Sequence, residues 1–296
     1  YTAIGSMGFK AGNILEPACG TGNFFGLLPE SMAASRLYGV ELDCITGRIA
    51  QHLYPKAKIS VCGYEKTDYP KDFFDLAIGN VPFGQYQVND PEYNRLGFSI
   101  HNYFLAKALD QVRPGGILAF VTSRYTMDAQ NTDVREYLAS KADLLGAVRL
   151  PNDAFKASAN TDVVSDILFL QKRSHPYAEK PEWIQAEKNG DGFPVNRYFL
   201  SHQDMVLGQP ASESTPYGKQ DYTVMPVPGA DLSAQLAAAI SHIHGSYQPA
   251  TATELEDAPA DVIPADLDVK NYSFTLVNGE VYYRENSVMV KPALNT

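Results

Sequence analysis

Asn13-Ile-Leu-Glu-Pro-Ala-Cys-Gly-Thr-Gly-Asn-Phe24 is the stretch that decides the fold. It reads as a short apolar strand, a glycine-rich turn and the opening of a helix. Gly20 and Gly22 let the backbone bend sharply and approach a ligand closely, where a Cβ would obstruct, and the helix that follows presents free N–H groups to that ligand. The turn has neither the Gly-x-Gly-x-x-Gly spacing of a dinucleotide fingerprint nor the Gly-Lys-Ser/Thr of a phosphate loop, so it argues for another nucleotide-like cofactor. About 20 residues later a second strand ends in Gly39-Val-Glu41-Leu-Asp43, which puts the Glu41 carboxylate where it can accept both hydrogen bonds of a ribose diol. Cys19 lies within the turn, but no His is close in sequence to activate it, which argues against a nucleophilic thiol.

Outward from this stretch, up to about residue 175, short apolar runs alternate with helix-like segments, the pattern of a parallel sheet with crossover helices. The expected strands are Asn13 to Glu16, Leu37 to Glu41, Lys58 to Cys62, Asp75 to Gly79, Gly116 to Thr122, Leu145 to Arg149 and Asp166 to Gln171. Seven strands fit one twisted sheet in an α/β core. Cys44 to Leu53, Ile100 to Val112 and Asp133 to Lys141 carry apolar residues at helical spacing, and Arg113-Pro-Gly-Gly116 is expected to stop the second of these helices.

The catalytic core is expected over 1–175, followed by a small appended subdomain over 176–245, for which Trp183, Phe193, Tyr198 and Phe199 are available as packing residues. Within it Ala230 to His244 reads as a helix. A linker over 246–270, rich in Ala, Pro, Thr and acidic residues, precedes a hairpin over 271–296, where Phe274 to Tyr283 alternates around Asn278-Gly279.

Bulk properties narrow the function classes. With 296 residues and 45% hydrophobic content the chain can bury a sizeable core. No apolar run approaches the roughly 18 to 20 residues of a membrane span, the longest strong run being Gly116 to Thr122. Cys19, Cys44 and Cys62 show no paired spacing and no His cluster, against a disulfide framework or structural zinc and for a reducing setting. The chain begins at Tyr1 with the motif almost at once, as expected of a piece cut from a longer polypeptide. Its net charge of −10 is the wrong sign for gripping phosphate over the whole surface, so a nucleic-acid substrate requires a local basic patch or another domain.

The fourth strand runs into Gly79-Asn80-Val-Pro-Phe83-Gly84, a polar residue and an aromatic held by proline beyond a strand's carboxyl end, where open α/β sheets bind ligands. An exocyclic amine is a poor nucleophile because its lone pair is delocalised into the ring. An enzyme that alkylates one needs acceptors for its hydrogens, which the Asn80 side-chain oxygen and the Val81 carbonyl can supply while Phe83 stacks on the ring. An ordinary turn with Phe83 in the core is the plainer reading of this tetrapeptide alone.

Glu16-Pro-Ala-Cys-Gly-Thr-Gly-Asn-Phe24 resembles motif I, and Asn80-Val-Pro-Phe83 motif IV, of the N6-adenine DNA methyltransferases, in the order of the gamma class. The resemblance continues through Glu41 as motif II, Glu65 as the motif III acid near the cofactor adenine, and the helix, Pro-Gly-Gly and strand from Ile100 to Thr122. It covers about residues 10 to 172. Arg149-Leu-Pro-Asn-Asp-Ala-Phe155 looks like motif VIII, which implies that Phe155 sandwiches the target base opposite Phe83.

The resemblance implies a Rossmann-like, seven-stranded class I methyltransferase sheet with a C-terminal extension, and methyl transfer from S-adenosylmethionine to N6 of adenine in DNA. It assigns the cofactor to Glu16, Pro17, Ala18, Cys19, Gly20, Gly22, Phe24, Glu41, Leu42 and Glu65, and catalysis to Asn80, Val81, Pro82 and Phe83, without a metal. The chain also looks like the methylase portion of large proteins of bacterial mobile elements, in which such a domain precedes a Swi/Snf-type helicase. That implies DNA and a helicase domain of the same polypeptide as partners, and work at the bacterial nucleoid. Two departures stand out: Val81 replaces the first proline of motif IV, and the N-terminal helix that closes over the methionine end is missing or shortened.

Two other readings compete. A protein-glutamine or RNA methyltransferase needs the same acceptors for its amide or amine hydrogens, and a catalytically degenerate module would serve only to tether a helicase. The charge conflict has a local solution if Lys156, Lys172, Arg173, Arg149, Arg124 and Arg135 form a DNA-facing edge; single solvated surface charges are the alternative. His52 and His101 are expected to be structural or exposed rather than catalytic.

Overall fold

The chain forms a seven-stranded sheet in the order β3-β2-β1-β4-β5-β7-β6, seen in a computed structural model that describes residues 1–156, 163–175, 179–214, 220–249, 262–266, 268–285 and 288–292. The strands are β1 (Asn13–Glu16), β2 (Arg36–Glu41), β3 (Lys58–Val61), β4 (Phe74–Asn80), β5 (Val112–Ser123), β6 (Ala142–Leu150) and β7 (Ser165–Lys172). All seven expected strands are present, within a few residues of their expected limits. The sheet is mixed rather than purely parallel, because β7 inserts antiparallel between β5 and β6. The short apolar runs of β6 and β7 read the same in either direction, so alternation with helices could not reveal the reversal.

The central strands are buried on both faces, which explains their nearly continuous apolar character: Ile14, Leu15, Leu76, Ala77, Ile117 and Leu118 are fully enclosed. Helices α1 (Thr2–Ser6), α2 (Asn23–Gly26), α3 (Cys44–Leu53), α4 (Ile100–Gln111), α5 (Tyr125–Asp128) and α6 (Asp133–Lys141) accompany them. Asp43 caps α3 by accepting from Ile45 N and Thr46 N, and Tyr54 follows its last turn. α4 is buried on nearly every side, so its polar residues His101, Lys107, Asp110 and Gln111 need internal partners.

Arg113-Pro-Gly-Gly116 does end α4, but as part of β5 rather than as a loop. The pairing jumps from Phe74 opposite Val112 to Leu76 opposite Ile117, and the Pro, which cannot donate to a ladder, sits in that irregularity. Gly116 lies so close to β4 that a Cβ there would stand 2.8 Å from the Asp75 carbonyl.

After β7 come β8 (Ala186–Lys188), β9 (Pro194–Asn196), α7 (Arg197–Ser201), β10 (Gln209–Ser214), β11 (Gln220–Met225) and α8 (Leu232–Ser241). Trp183, Ile184, Phe199, Tyr222 and Val224 share one hydrophobic cluster with the sheet, and Phe193 and Tyr198 pack against it. The segment expected as a linker begins docked: Tyr247 donates through its backbone to Met7 O at 2.8 Å and through its hydroxyl to Asp75 at 2.8 Å. Most of the rest of that segment, 250–261, lies outside the described residues.

A second sheet, in the order β12-β15-β14-β13, comprises β12 (Val262–Pro264), β13 (Phe274–Val277), β14 (Glu280–Glu285) and β15 (Val288–Val290). The Asn-Gly hairpin forms as expected, with Val277 opposite Glu280 and both turn residues in the left-handed region, Asn278 at φ 53° and Gly279 at φ 85°. Asn271 N donates to Asp68 Oδ2 at 2.8 Å, which ties this sheet to the main one.

Candidate active site

β1, β2 and β4 end on the same edge of the sheet, and a cavity of about 1080 Å³ opens there. That is large enough for a nucleotide-sized ligand with room beside it, since drug-sized sites run roughly 300–1,000 Å³. It is lined by Pro17, Ala18, Glu41, Leu42 and the segment Cys62 to Lys66, and by Asn80, Val81, Pro82, Phe83, Tyr86, Val88, Asn89, Phe155 and Val163, with Ile100 and Phe104 of α4. All the expected catalytic and base-stacking residues and half of the expected cofactor residues therefore meet in one cavity, although they are spread over 139 residues of sequence, from Pro17 to Phe155.

The glycine turn is built around Glu41. Gly20 N donates to Glu41 Oε2 at 2.7 Å and Asp43 N to Glu41 Oε1 at 2.8 Å, which fixes the carboxylate at the mouth of β2. A carboxylate has about four lone-pair sites, so two remain for a ligand diol. Gly20 has φ 54° and open space where a Cβ would stand; Gly22 has φ 86° and its Cβ would strike the Tyr54 ring at 2.5 Å. Of the expected cofactor residues, Pro17, Ala18, Glu41, Leu42 and Glu65 line the cavity, whereas Glu16, Cys19, Gly20, Gly22 and Phe24 do not. The helix after the turn is a single turn, Asn23–Gly26, shorter than the reading of a helix end aimed at the ligand requires.

Glu16 and Cys19 are the buried groups under this turn. Burial, with Glu41 adding to it, pushes the Glu16 carboxyl from its ordinary 4.5 up to about 9, and its Oε2 has no hydrogen-bond partner. The Cys19 thiol is pushed up to about 12 by burial and by Glu16 and Glu41, so it stays protonated, in line with the expectation that it is no nucleophile.

Asn80 is the last residue of β4 and is exposed to the cavity. Val81 accounts for its own departure from proline. Its side chain is only 2% exposed, and its N–H, which proline would lack, donates to Val121 O at 3.1 Å, extending the β4–β5 ladder by one residue. The turn is thus anchored rather than relaxed. Phe83 and Phe155 are both half-buried members of the cavity wall; residues 157–162 after Phe155 lie outside the described residues.

The proposed DNA-facing edge of cations does not exist. Arg149 and Arg135 are fully buried, and Arg124 is 5% exposed. Arg149 sits between Asp128 and Asp166: Nε and Nη2 donate to Asp166 at 2.8 Å, and Nη1 faces Asp128 Oδ2 at 2.9 Å as an ion pair without hydrogen-bond alignment. Burial alone would lower its pKa, but the two carboxylates hold it well above the usual range. Arg124 pairs with Asp128 and with Asp221 of β11. Arg135 donates to the carbonyls of Ile184, Thr126 and Ala129. Lys172 and Arg173 pair with Asp72 and Asp143. Of the six only Lys156 is exposed. These cations fasten the extension and the outer strands to the core, and charge counting along a sequence cannot distinguish that use from a phosphate-binding face.

His101 is buried within α4, with burial lowering its pKa, and Ser99 Oγ stands 3.1 Å from its Nε2; His52 is exposed late in α3. Sequence reasoning missed Cys62, Gly63, Tyr64, Lys66, Tyr86, Val88, Asn89, Ile100, Phe104 and Val163 as cavity residues. The apolar ones carried no signal beyond core periodicity. Tyr64 and Lys66 adjoin Glu65, so the motif III segment itself was the available pointer. Among the described residues there is no cluster of His, Cys, Asp and Glu able to hold a metal and no helix long and apolar enough to cross a membrane.

The chain is similar to several known proteins. Defense against restriction protein B of Escherichia phage P1 is 32% identical over 58% of this chain and 8% of that protein. The type II methyltransferase M.CvrRI of Paramecium bursaria Chlorella virus XZ-6E is 27% identical over 58% of this chain and 45% of that protein. A modification subunit attributed to a type I restriction enzyme of Vibrio vulnificus YJ016 superposes with a TM-score of 0.47 at 18% identity, over 72% of this chain and 54% of that one. The chain thus spans less than half the length of these two curated relatives. Residues 7–207, well over half the chain, match the N-6 DNA Methylase family and enclose every residue assigned to the site; the chain belongs to that family.

Proposed function

We propose that this chain binds S-adenosylmethionine in the Pro17–Glu41–Glu65 half of the cavity and methylates N6 of an adenine held in the Asn80–Phe83–Phe155 half. The observation that carries the reading is the single cavity that joins a carboxylate with two free lone-pair sites to an exposed asparagine and two aromatic walls. The residues present suit the cofactor: Glu41 for the ribose hydroxyls, Leu42 and the Cys62–Glu65 segment for the adenine, and the buried, unpartnered Glu16 carboxyl behind the turn for a positively charged ligand end. When bound, S-adenosylmethionine supplies an electrophilic methyl group on a positive sulfonium.

The chain's own residues do the rest. Asn80 Oδ1 and the Val81 carbonyl accept the hydrogens of the adenine amine and aim its lone pair, while Phe83 and Phe155 hold the ring after it has left the stack. Positioning supplies most of the rate. Because five of the six cations expected to meet phosphate are engaged internally, the grip on duplex DNA comes from beyond this core, and a helicase module of the same full-length polypeptide is one such partner. The match to 8% of the phage protein is compatible with a domain of this kind in a much longer chain. On this reading residues 1–175 are the catalytic unit, 176–245 brace it, and the work is done on intracellular DNA.

Incubation with methyl-labelled S-adenosylmethionine and unmethylated DNA, RNA or protein as separate acceptors tests the assignment. Label in DNA alone supports it. Label in RNA or protein moves the chain to the rival substrate classes, and label in none, despite cofactor binding, points to a degenerate module.

A further inference from the structure

α4 presents Ile100 and Phe104 to the cavity, and Lys107, on the same face about one turn beyond Phe104, lies just behind them. Its ammonium donates to the Tyr64 carbonyl at 2.9 Å and to Asp90 Oδ2 at 2.9 Å, with the two side chains only 7% and 8% exposed. Tyr64 belongs to the Cys62–Lys66 wall, beside Glu65. Asp90 directly follows Val88 and Asn89, which also line the cavity. Tyr103 OH donates to the same Asp90 Oδ2 at 2.8 Å, and Asn94 Oδ1 accepts from Asp90 N at 2.9 Å, so Lys107 shares Asp90 with these two groups. A buried ion pair is weak support for stability as such, and this one joins α4 to the segment that carries Asp90.

We propose that Lys107 is a positioning residue that links the two half-pockets, so that a ligand in the cofactor half orders the Val88–Asp90 segment for the target base, and the reverse. The inference rests on the proposed contents of the cavity. Lys107 touches neither ligand; it acts through Tyr64 and Asp90. Linkage of this kind is reciprocal and appears as a ratio of affinities, which a residue serving only the fold would leave unchanged.

The test is calorimetric titration of the full chain with S-adenosylhomocysteine, alone and in the presence of a saturating, adenine-containing single-stranded oligonucleotide. In the unsubstituted protein the oligonucleotide tightens S-adenosylhomocysteine by ~5-fold or more, and in Lys107→Met and Asp90→Asn that ratio falls to about one. Lys107→Arg, which keeps the charge and the reach, restores part of it. If Lys107→Met does not fold, Asp90→Asn, nearly unchanged in volume, carries the measurement. A ratio preserved in a folded Lys107→Met or Asp90→Asn protein overturns the inference, as does an unsubstituted protein that binds both ligands independently. An unsubstituted protein that binds neither overturns the functional reading itself, and the inference with it.

Discussion

Replacing Glu16 by Gln should stabilise the ligand-free protein, by an amount that grows with pH. The Glu16 side chain is 2% exposed and leaves Oε2 without a partner, and its carboxyl is pushed from 4.5 to about 9, first by burial and then by Glu41. Between those two values the folded chain holds a proton that the unfolded chain has lost, so the wild-type protein loses stability as pH rises from 4.5 towards 9. Each pH unit in that window is worth ~1.4 kcal/mol, giving a cost of about 3 kcal/mol at pH 7 and about 1 kcal/mol at pH 5.5. Gln cannot ionise and removes the slope. Urea unfolding followed by the fluorescence of Trp183, the only tryptophan and a buried one, measures both proteins across pH 5.5 to 8.5. The variant's advantage should widen steadily over that range. A pH-independent difference would refute the account of Glu16 as a buried, protonated acid. The same physics predicts that a cationic ligand end near Glu16 expels its proton, which calorimetry in buffers of different ionisation enthalpy detects and Glu16→Gln abolishes.

Four further outcomes follow from the site and its supports. Asn80→Ala should lower the methyl-transfer rate by ~100-fold or more while leaving S-adenosylhomocysteine affinity within a few-fold, because on the proposed reading Asn80 contacts the reacting amine and not the cofactor. Glu41→Ala should weaken cofactor binding by at least ~10-fold in a direct titration and also cost about 1–2 kcal/mol of stability, since Gly20 N and Asp43 N lose their acceptor. Arg149→Met should destabilise the fold by about 3–5 kcal/mol in denaturant unfolding, because it strands Asp128 and Asp166; if Arg149 were a DNA contact, affinity for DNA would fall and stability would not. Val81→Pro removes one hydrogen bond, to Val121 O, and should cost about 1 kcal/mol of stability without abolishing transfer; complete loss of activity in a folded variant would show that the valine is a functional requirement.

The sheet was legible because its strands are short, apolar and separated by strong punctuation; β1 and the helices Cys44–Leu53 and Asp133–Lys141 have the limits expected from periodicity and caps alone. The Asn278-Gly279 hairpin was legible for a local reason too, since few other residue pairs tolerate two left-handed conformations in succession. What depended on three-dimensional pairing was not. The reversal of β7, the placing of Arg113-Pro-Gly-Gly116 inside β5 and the docking of Tyr247 on Asp75 are each decided by a partner distant in sequence. At the site, Glu41, Asn80 and Phe83 announced themselves because their chemistry sits at strand ends. Phe104 and Lys107 did not, since a buried helix residue carries one pattern whether it faces a cavity or a core, and Val88 lies in an irregular segment without a motif. The cations misled for a physical reason: Arg149 and Arg135 are used inside, where carboxylates and carbonyls replace the water they would otherwise have kept.

The most direct test of the central claim is nucleoside analysis by mass spectrometry of unmethylated DNA treated with the protein and S-adenosylmethionine, beside the Asn80→Ala variant. N6-methyldeoxyadenosine that accumulates with the wild-type protein and is lost in a folded variant still able to bind S-adenosylhomocysteine is the predicted result. Equal methylation by both proteins, or a methylated base other than adenine, would contradict the claim that the Asn80–Phe83 pocket presents adenine to the methyl donor.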